Sequence, residues 1–275
     1  MMHRMFYILL SICSLATANV GEWRLVWADE FNYSGLPDSA KWGYEIGFVR
    51  NFEKQFYTKN RLKNARVENG YLIIEARKER YKNPSFNLNS TDWRREKEYA
   101  HYTSASINTQ NKMQFKYGRV EVRAKLPRGK GVWPAIWALG VNIAEIGWPL
   151  CGEIDIMEFV GHDPDKIYAT VHYGVGRAGE HNSCGANILA KKPYDDFHVY
   201  ALEWNRDKMD FYFDQKKYYT FQIDKSQKEV ADQFRKPFYL LINLALGGSW
   251  GGKIDDSIFP QQYLIDYVRI YEKNI

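Results

Sequence analysis

Cysteine is scarce, with three in 275 residues, too few for the disulfide framework of a small secreted scaffold. Long hydrophobic runs are missing too: the one apolar stretch, Met5 to Leu15, is shorter than the ~20 residues that span a bilayer. Neither sign of charge dominates. Lys and Arg number 38 against 33 Asp and Glu, a net +5, too mild and too dispersed for the concentrated basic face that nucleic-acid binding needs. No Pro/Gly/Ser-rich linker or shift in composition divides the chain, and no repeat of solenoid period runs through it. Disordered, collagenous and coiled-coil classes are therefore excluded, and length alone does not force a second domain, since all-β single domains reach this size.

Rings are what the sequence has in plenty. Twenty Tyr, 15 Phe and 9 Trp exceed what an ordinary core demands; such side chains favour strands and also line clefts in which sugars stack. The N-terminus carries Arg4, the apolar run and then Ala16-Thr17-Ala18, the pattern of a secretory signal with an A-x-A cleavage site. Residues 1–18 are thus expected to be a signal peptide, 19–275 one domain, and the mature protein secreted and extracellular, free of the membrane. Cys13 would leave with the signal, so Cys151 and Cys184 are either one optional bridge or two free thiols. Asn32-Tyr33-Ser34 and Asn89-Ser90-Thr91 are glycosylation acceptors in a eukaryotic secretory pathway.

Strand patterning recurs along the chain. Val120, Val122, Ala124 and Leu126 alternate with Arg119, Glu121, Arg123 and Lys125, the mark of a half-buried strand. Asn69-Gly70 precedes Tyr71–Glu75, and Asn205–Lys208 divides His198–Trp204 from Met209–Phe213; both are hairpin signals. Further strands are predicted at Thr103–Thr109, Ile154–Val160, Ile167–Tyr173, Phe238–Leu246 and Leu264–Tyr271. One short helix is predicted near Asp224 to Phe234, with Asp224 as N-cap. The polar stretch Lys78 to Lys97 reads as a long surface loop. Many strands with almost no helices predict an all-β sandwich of two antiparallel sheets.

The chemistry concentrates in Gly152-Glu153-Ile154-Asp155-Ile156-Met157-Glu158. On a strand Glu153 and Asp155 share one face while Ile154 and Ile156 turn to the core. Strict alternation sends Glu158 inward, where a lone carboxylate costs several kcal/mol, and a β-bulge near Met157 is the simplest remedy. Three acids on one face repel, so one stays protonated near neutral pH while another is free as a nucleophile, the division of labour in retaining glycoside hydrolysis. A solvated acidic face and a calcium site are the plainer readings of the same triplet. Gly131-Val132-Trp133-Pro134-Ala135-Ile136-Trp137 and Trp148 add indoles beside it on which pyranose rings stack. Gly174 to Gly179 fits G-x-G-x-x-G, yet Glu180–Gly185 offers no helix to receive a pyrophosphate, so the segment reads as a glycine-rich cleft loop. Neither the spacing of His172, His181 and Cys184 nor a helical acidic ligand supports a zinc site.

From about Trp23 to Tyr271 the chain resembles family 16 glycoside hydrolases of the laminarinase (endo-β-1,3-glucanase) type, on G-E-I-D-I-M-E with W-P-A-I-W upstream. The resemblance implies a β-jelly-roll sandwich with a concave substrate cleft and no catalytic cofactor. It implies Glu153 as nucleophile, Glu158 as general acid/base and Asp155 as the neighbour that tunes the nucleophile. It also implies a cleft lined by Asn51, Arg77, Trp133, Trp137, Trp148, His172 and Asn243, the amide of Asn51 suiting sugar hydroxyls by both donating and accepting. A structural calcium on the convex face is implied through Glu30, Gly70 and Asp266. Asp266 shares the phase of Leu264, Val268 and Ile270, so it is expected to face inward and want a cation or backbone partner. The implied partner is a β-glucan, cut by a monomer at β-1,3 bonds, with mixed-linkage β-1,3-1,4-glucan left open as a second substrate. The rival class is a non-catalytic β-1,3-glucan recognition protein; relatives of that kind have lost the carboxylates, whereas this chain keeps both glutamates. The extra Met157 separates it from relatives with the shorter E-x-D-x-E.

Overall fold

The structure, a computed structural model, describes residues 23–176 and 180–274; the expected signal peptide lies outside them. Among the described residues seventeen strands follow in order: β1 (Trp23–Asp29), β2 (Gly43–Tyr44), β3 (Gln55–Tyr57), β4 (Ala65–Glu68), β5 (Tyr71–Lys82), β6 (Tyr99–Ser104), β7 (Ser106–Asn108), β8 (Gly118–Lys125), β9 (Val132–Gly140), β10 (Glu153–Glu158), β11 (Lys166–Val175), β12 (Glu180–Leu189), β13 (His198–Trp204), β14 (Lys208–Phe213), β15 (Lys216–Gln222), β16 (Phe238–Leu246) and β17 (Gln261–Lys273). They build two sheets. One runs β15-β14-β13-β8-β17-β5-β6-β3, with β1 added to β17 and β4 to β5; the other runs β12-β11-β10-β9-β16-β7-β2. All pairs are antiparallel except β3 with β6.

The predicted sandwich is therefore present, and its core is built as alternation dictates. Val120, Val122 and Ala124 of β8 meet Ile154, Ile156, Val171 and Ile242 from the other sheet in one continuous buried cluster. Asn69 and Gly70 both take positive φ, 55° and 81°, and turn β4 into β5, the left-handed pair that an Asn-Gly hairpin supplies cheaply.

Three expectations needed correction. Thr103–Thr109 is two strands: the chain leaves one sheet after Ser104, buries Ala105, and enters the other at Ser106. The helix is shorter than expected, α2 (Lys228–Gln233), following the one-turn α1 (Ile143–Ile146); Asp224 does not cap it, because the helix begins at Lys228 with Gln227 in the cap position and Asp224 lies in the turn before it, bonded through its N–H to the carbonyl of Asp207. Lys78 to Lys97 is not all loop, since β5 continues to Lys82 and only 83–98 connects it to β6. Cys151 is buried, Cys184 is exposed, and both are free thiols.

Candidate active site

The open face of the seven-stranded sheet carries a cleft of about 660 Å³ running across β11, β10, β9 and β16. β10 supplies its acids. Glu153, Asp155 and Glu158 pair with Leu139, Trp137 and Ala135 of β9, while the register slips by one residue between Asp155 and Met157. The same slip appears against β11, where Asp155 faces Thr170 and Glu158 faces Tyr168. This is the expected bulge. Ile156 and Met157 are both fully buried, the extra residue is absorbed by the core, and Glu158 returns to the face of the other two acids.

Each carboxyl has its own surroundings. Glu153 accepts a hydrogen bond of 2.6 Å from Nε1 of Trp148, an indole 48% exposed at the rim. Asp155 is 3% exposed, and burial, followed by the charge of Glu153 beside it, holds its carboxyl well above the ordinary range; Nε2 of His172 stands 3.1 Å from its Oδ2. Glu158 is pushed well up by burial and then by Asp155, against which a donated bond from Trp133 Nε1 works, at 3.0 Å. Burial thus favours the protonated form of both Asp155 and Glu158, on the face that Glu153 shares.

Glu153, Asp155 and His172 also converge as donors, with ligand atoms within 4.8 Å of one another. Metal ligation requires deprotonated carboxylates, and burial together with the charge of Glu153 disfavours that form of Asp155. His172 in turn contacts His181 of β12, Nδ1 to Nε2 at 2.8 Å, and the His181 ring lies 4.7 Å from Trp148. Burial and His172 lower the pKa of His181.

The cleft floor is a second network. Trp137 Nε1 donates to Asn243 Oδ1 at 2.7 Å, Asn243 Nδ2 donates to Tyr57 at 3.0 Å, and Tyr57 and Gln55 both donate to Glu53. The guanidinium of Arg50 lies 4.7 Å from the centre of the Trp137 ring. Asn51 reaches the cleft from the loop before β3. Trp133 meets Trp250 edge to face at 5.6 Å.

Asn51, Trp133, Trp137, Trp148, His172 and Asn243 thus line one cleft with the three acids. Arg77 does not. It lies on β5 in the other sheet, in phase with Ile73 and Glu75 while Leu72, Ile74 and Ala76 enter the core, and it is ion-paired to Glu75 on the outer side. The sequence reading missed Glu45, Arg50, Tyr168, Thr170, Tyr239, Ser249 and Trp250, and gave no cleft role to His181 or Glu53. The late G-G-S-W-G-G run around Trp250 was the available signal.

The expected calcium ligands do not fit a cation. Both carboxylate oxygens of Glu30 accept from Arg269 at 2.7 and 2.8 Å, and Asp266 accepts from Arg123 at 2.5 Å. A register shift between Ile265 and Tyr267 breaks the phase that was expected to bury Asp266: Tyr263, Ile265, Val268 and Ile270 go inward and Asp266 is left partly exposed. Arginine supplies the countercharge that calcium was expected to bring.

Residues 52–269 match Glycosyl hydrolases family 16. A beta-glucanase of Rhodothermus marinus is 43% identical over 259 residues, covering 90% of this chain and 85% of the relative. The solved laminarinase of Rhodothermus marinus is 41% identical with a TM-score of 0.79, covering 92% of this chain and 98% of the other. A second solved structure, described among endo-acting O-glycanases with which human gut microbes initiate mucin breakdown, is 39% identical with a TM-score of 0.87, covering 93% and 92%. The bulged triplet of acids, the indoles around it and the two-sheet frame are those of one group of enzymes: the chain belongs to family 16 of the glycoside hydrolases.

Proposed function

We propose that this protein is a secreted endo-β-1,3-glucanase acting by double displacement, with laminarin-type glucans as substrate. The observation that carries the reading is the split among three carboxyls on one face: Glu158 buried with a raised pKa, Asp155 likewise, and Glu153 bonded to a rim indole. Glu158 donates its proton to the glycosidic oxygen as the bond to the leaving chain breaks. The Glu153 carboxylate attacks the anomeric carbon and forms a covalent glycosyl-enzyme. Glu158, now ionised, takes a proton from water, which attacks the same carbon and releases Glu153, so that configuration is retained. Asp155 donates a hydrogen bond to Glu153 and moderates its charge. Similarity to a beta-glucanase and a laminarinase supports the choice of glucan, and the signal-like N-terminus supports export.

One observation favours a second substrate class. The TM-score to the mucin-directed O-glycanase structure is 0.87, against 0.79 for the laminarinase at similar identity. Initial rates on laminarin, lichenan, cellulose, agarose and mucin O-glycans, measured side by side, decide. The proposal expects the highest kcat/KM on laminarin, with viscosity falling ahead of reducing-end release. Faster cleavage of mucin O-glycans would replace the glucanase reading, and binding to laminarin without turnover between pH 4 and 8 would favour a recognition protein.

A further inference from the structure

Beyond Asn51 the cleft does not end at bare surface. A second cavity, about 530 Å³, opens on the far side of Glu53, a residue that lines both. Phe52 and Trp93 form its apolar wall, and Lys54, Asp92, Glu96 and Lys97 its charged one. Phe52 is 61% exposed, and both Asn51 and Phe52 sit in the left-handed region, at φ 56° and 53°. Bulky residues avoid that region because of steric cost, so the backbone holds a phenyl ring outward at some expense.

The ring it meets is fixed in place. Trp93 lies 5.1 Å from Phe52, tilted by 39°, and is backed by Phe48 at 6.0 Å, itself packed edge to face on Phe56. Trp93 belongs to the 83–98 connection, which is tied across its base. Nδ2 of Asn83 donates to the carbonyls of Arg94 and Lys97, both at 3.0 Å, and the N–H of Asn83 bonds the carbonyl of Glu98 at 2.8 Å. An apolar ring pair flanked by carboxylates and two ammonium groups matches a pyranose, which presents a C–H face to rings and hydroxyls at its edge.

We propose that Phe52 and Trp93 form a distal sugar-binding subsite, in which a pyranosyl residue of a long glycan stacks after the chain has passed Asn51. The occupant is the continuation of the substrate itself, since the cavity shares Glu53 with the cleft. This inference rests on the reading of the cleft as a β-1,3-glucanase site.

The test is kcat/KM on a ladder of laminari-oligosaccharides, from the shortest chain cleaved upward, for the wild type, Phe52→Ala, Trp93→Ala and Trp93→Phe. With ring stacking worth about fivefold in binding, the ratio of long-chain to short-chain kcat/KM falls by about that factor in each alanine variant and recovers in Trp93→Phe. A ratio unchanged in both alanine variants, or activity lowered equally at every length, overturns the subsite. If circular dichroism shows Trp93→Ala misfolded, exposed Phe52 decides alone. A wild type inert on the whole ladder overturns the glucanase reading, and this inference with it; an active wild type with an unmoved ratio overturns only the subsite.

Discussion

Replacing Trp133 with Phe removes one hydrogen-bond donor from a buried acid and keeps most of the ring. Burial and Asp155 push Glu158 up, and the Trp133 N–H, at 3.0 Å, is what chiefly opposes them. A bond to a charged group is worth about 1.5–3 kcal/mol, and ~1.4 kcal/mol moves a pKa by one unit. Part of that bond survives when Glu158 is protonated, so the loss should raise its pKa by about one unit. The sign follows from the charged form: the indole stabilises the carboxylate, and removing it favours the acid. Activity is lost on the alkaline side when Glu158 ionises before it can donate its proton, so the alkaline limb of kcat/KM against pH should move upward by about one unit in Trp133→Phe. Trp137→Phe is the control, since that indole donates to Asn243, and it should leave the limb in place. A limb that stays put or moves down in Trp133→Phe refutes the assignment of Glu158 as the acid.

Azide should distinguish the two glutamates. Glu158→Gln on an activated aryl glucoside is expected to be rescued with a β-azide product, and Glu153→Gln to give at most an α-azide, as NMR of the products shows; the reverse pattern exchanges their roles. Asp155→Asn should gain stability relative to the wild type as pH rises from 4 to 7. A buried acid with a raised pKa binds its proton more tightly when folded, so it lowers stability by ~1.4 kcal/mol per pH unit between its unfolded and folded values, and Asn does not titrate. A Tm difference independent of pH would contradict the raised pKa. Asn243→Leu strands the Trp137 N–H in a buried network and removes the bond that the Tyr57 hydroxyl accepts, and should cost about 1–3 kcal/mol by urea unfolding, with a larger loss in kcat/KM because Trp137 is set free; unchanged stability would mean that the network relaxes.

The strands were legible wherever one face is wet, because alternation reports burial directly: β8 reads off Arg119 to Leu126, and the turn at Asn69-Gly70 announces itself. The bulge was legible for the same reason, since a carboxylate in the core phase demanded an explanation. Alternation failed where a second irregularity intervened. The shift at Ile265/Tyr267 reversed the phase of Asp266, and nothing in the local pattern marks it. Arg77 was misplaced because the phase that puts it beside Glu75 does not say which sheet β5 joins. His181 and the Phe52–Trp93 pair depend on contacts between distant segments, the first through the β11–β12 hairpin and the second through a connection that looked merely polar.

The most direct test of the central claim is NMR of the anomeric protons during the first minutes of laminarin hydrolysis. β-configured reducing ends are expected first, equilibrating later with the α form, because Glu153 attacks from the face opposite the leaving chain and water then enters from the face that chain vacated, two inversions that retain configuration. An α product appearing first would contradict Glu153 as nucleophile, and with it the double displacement.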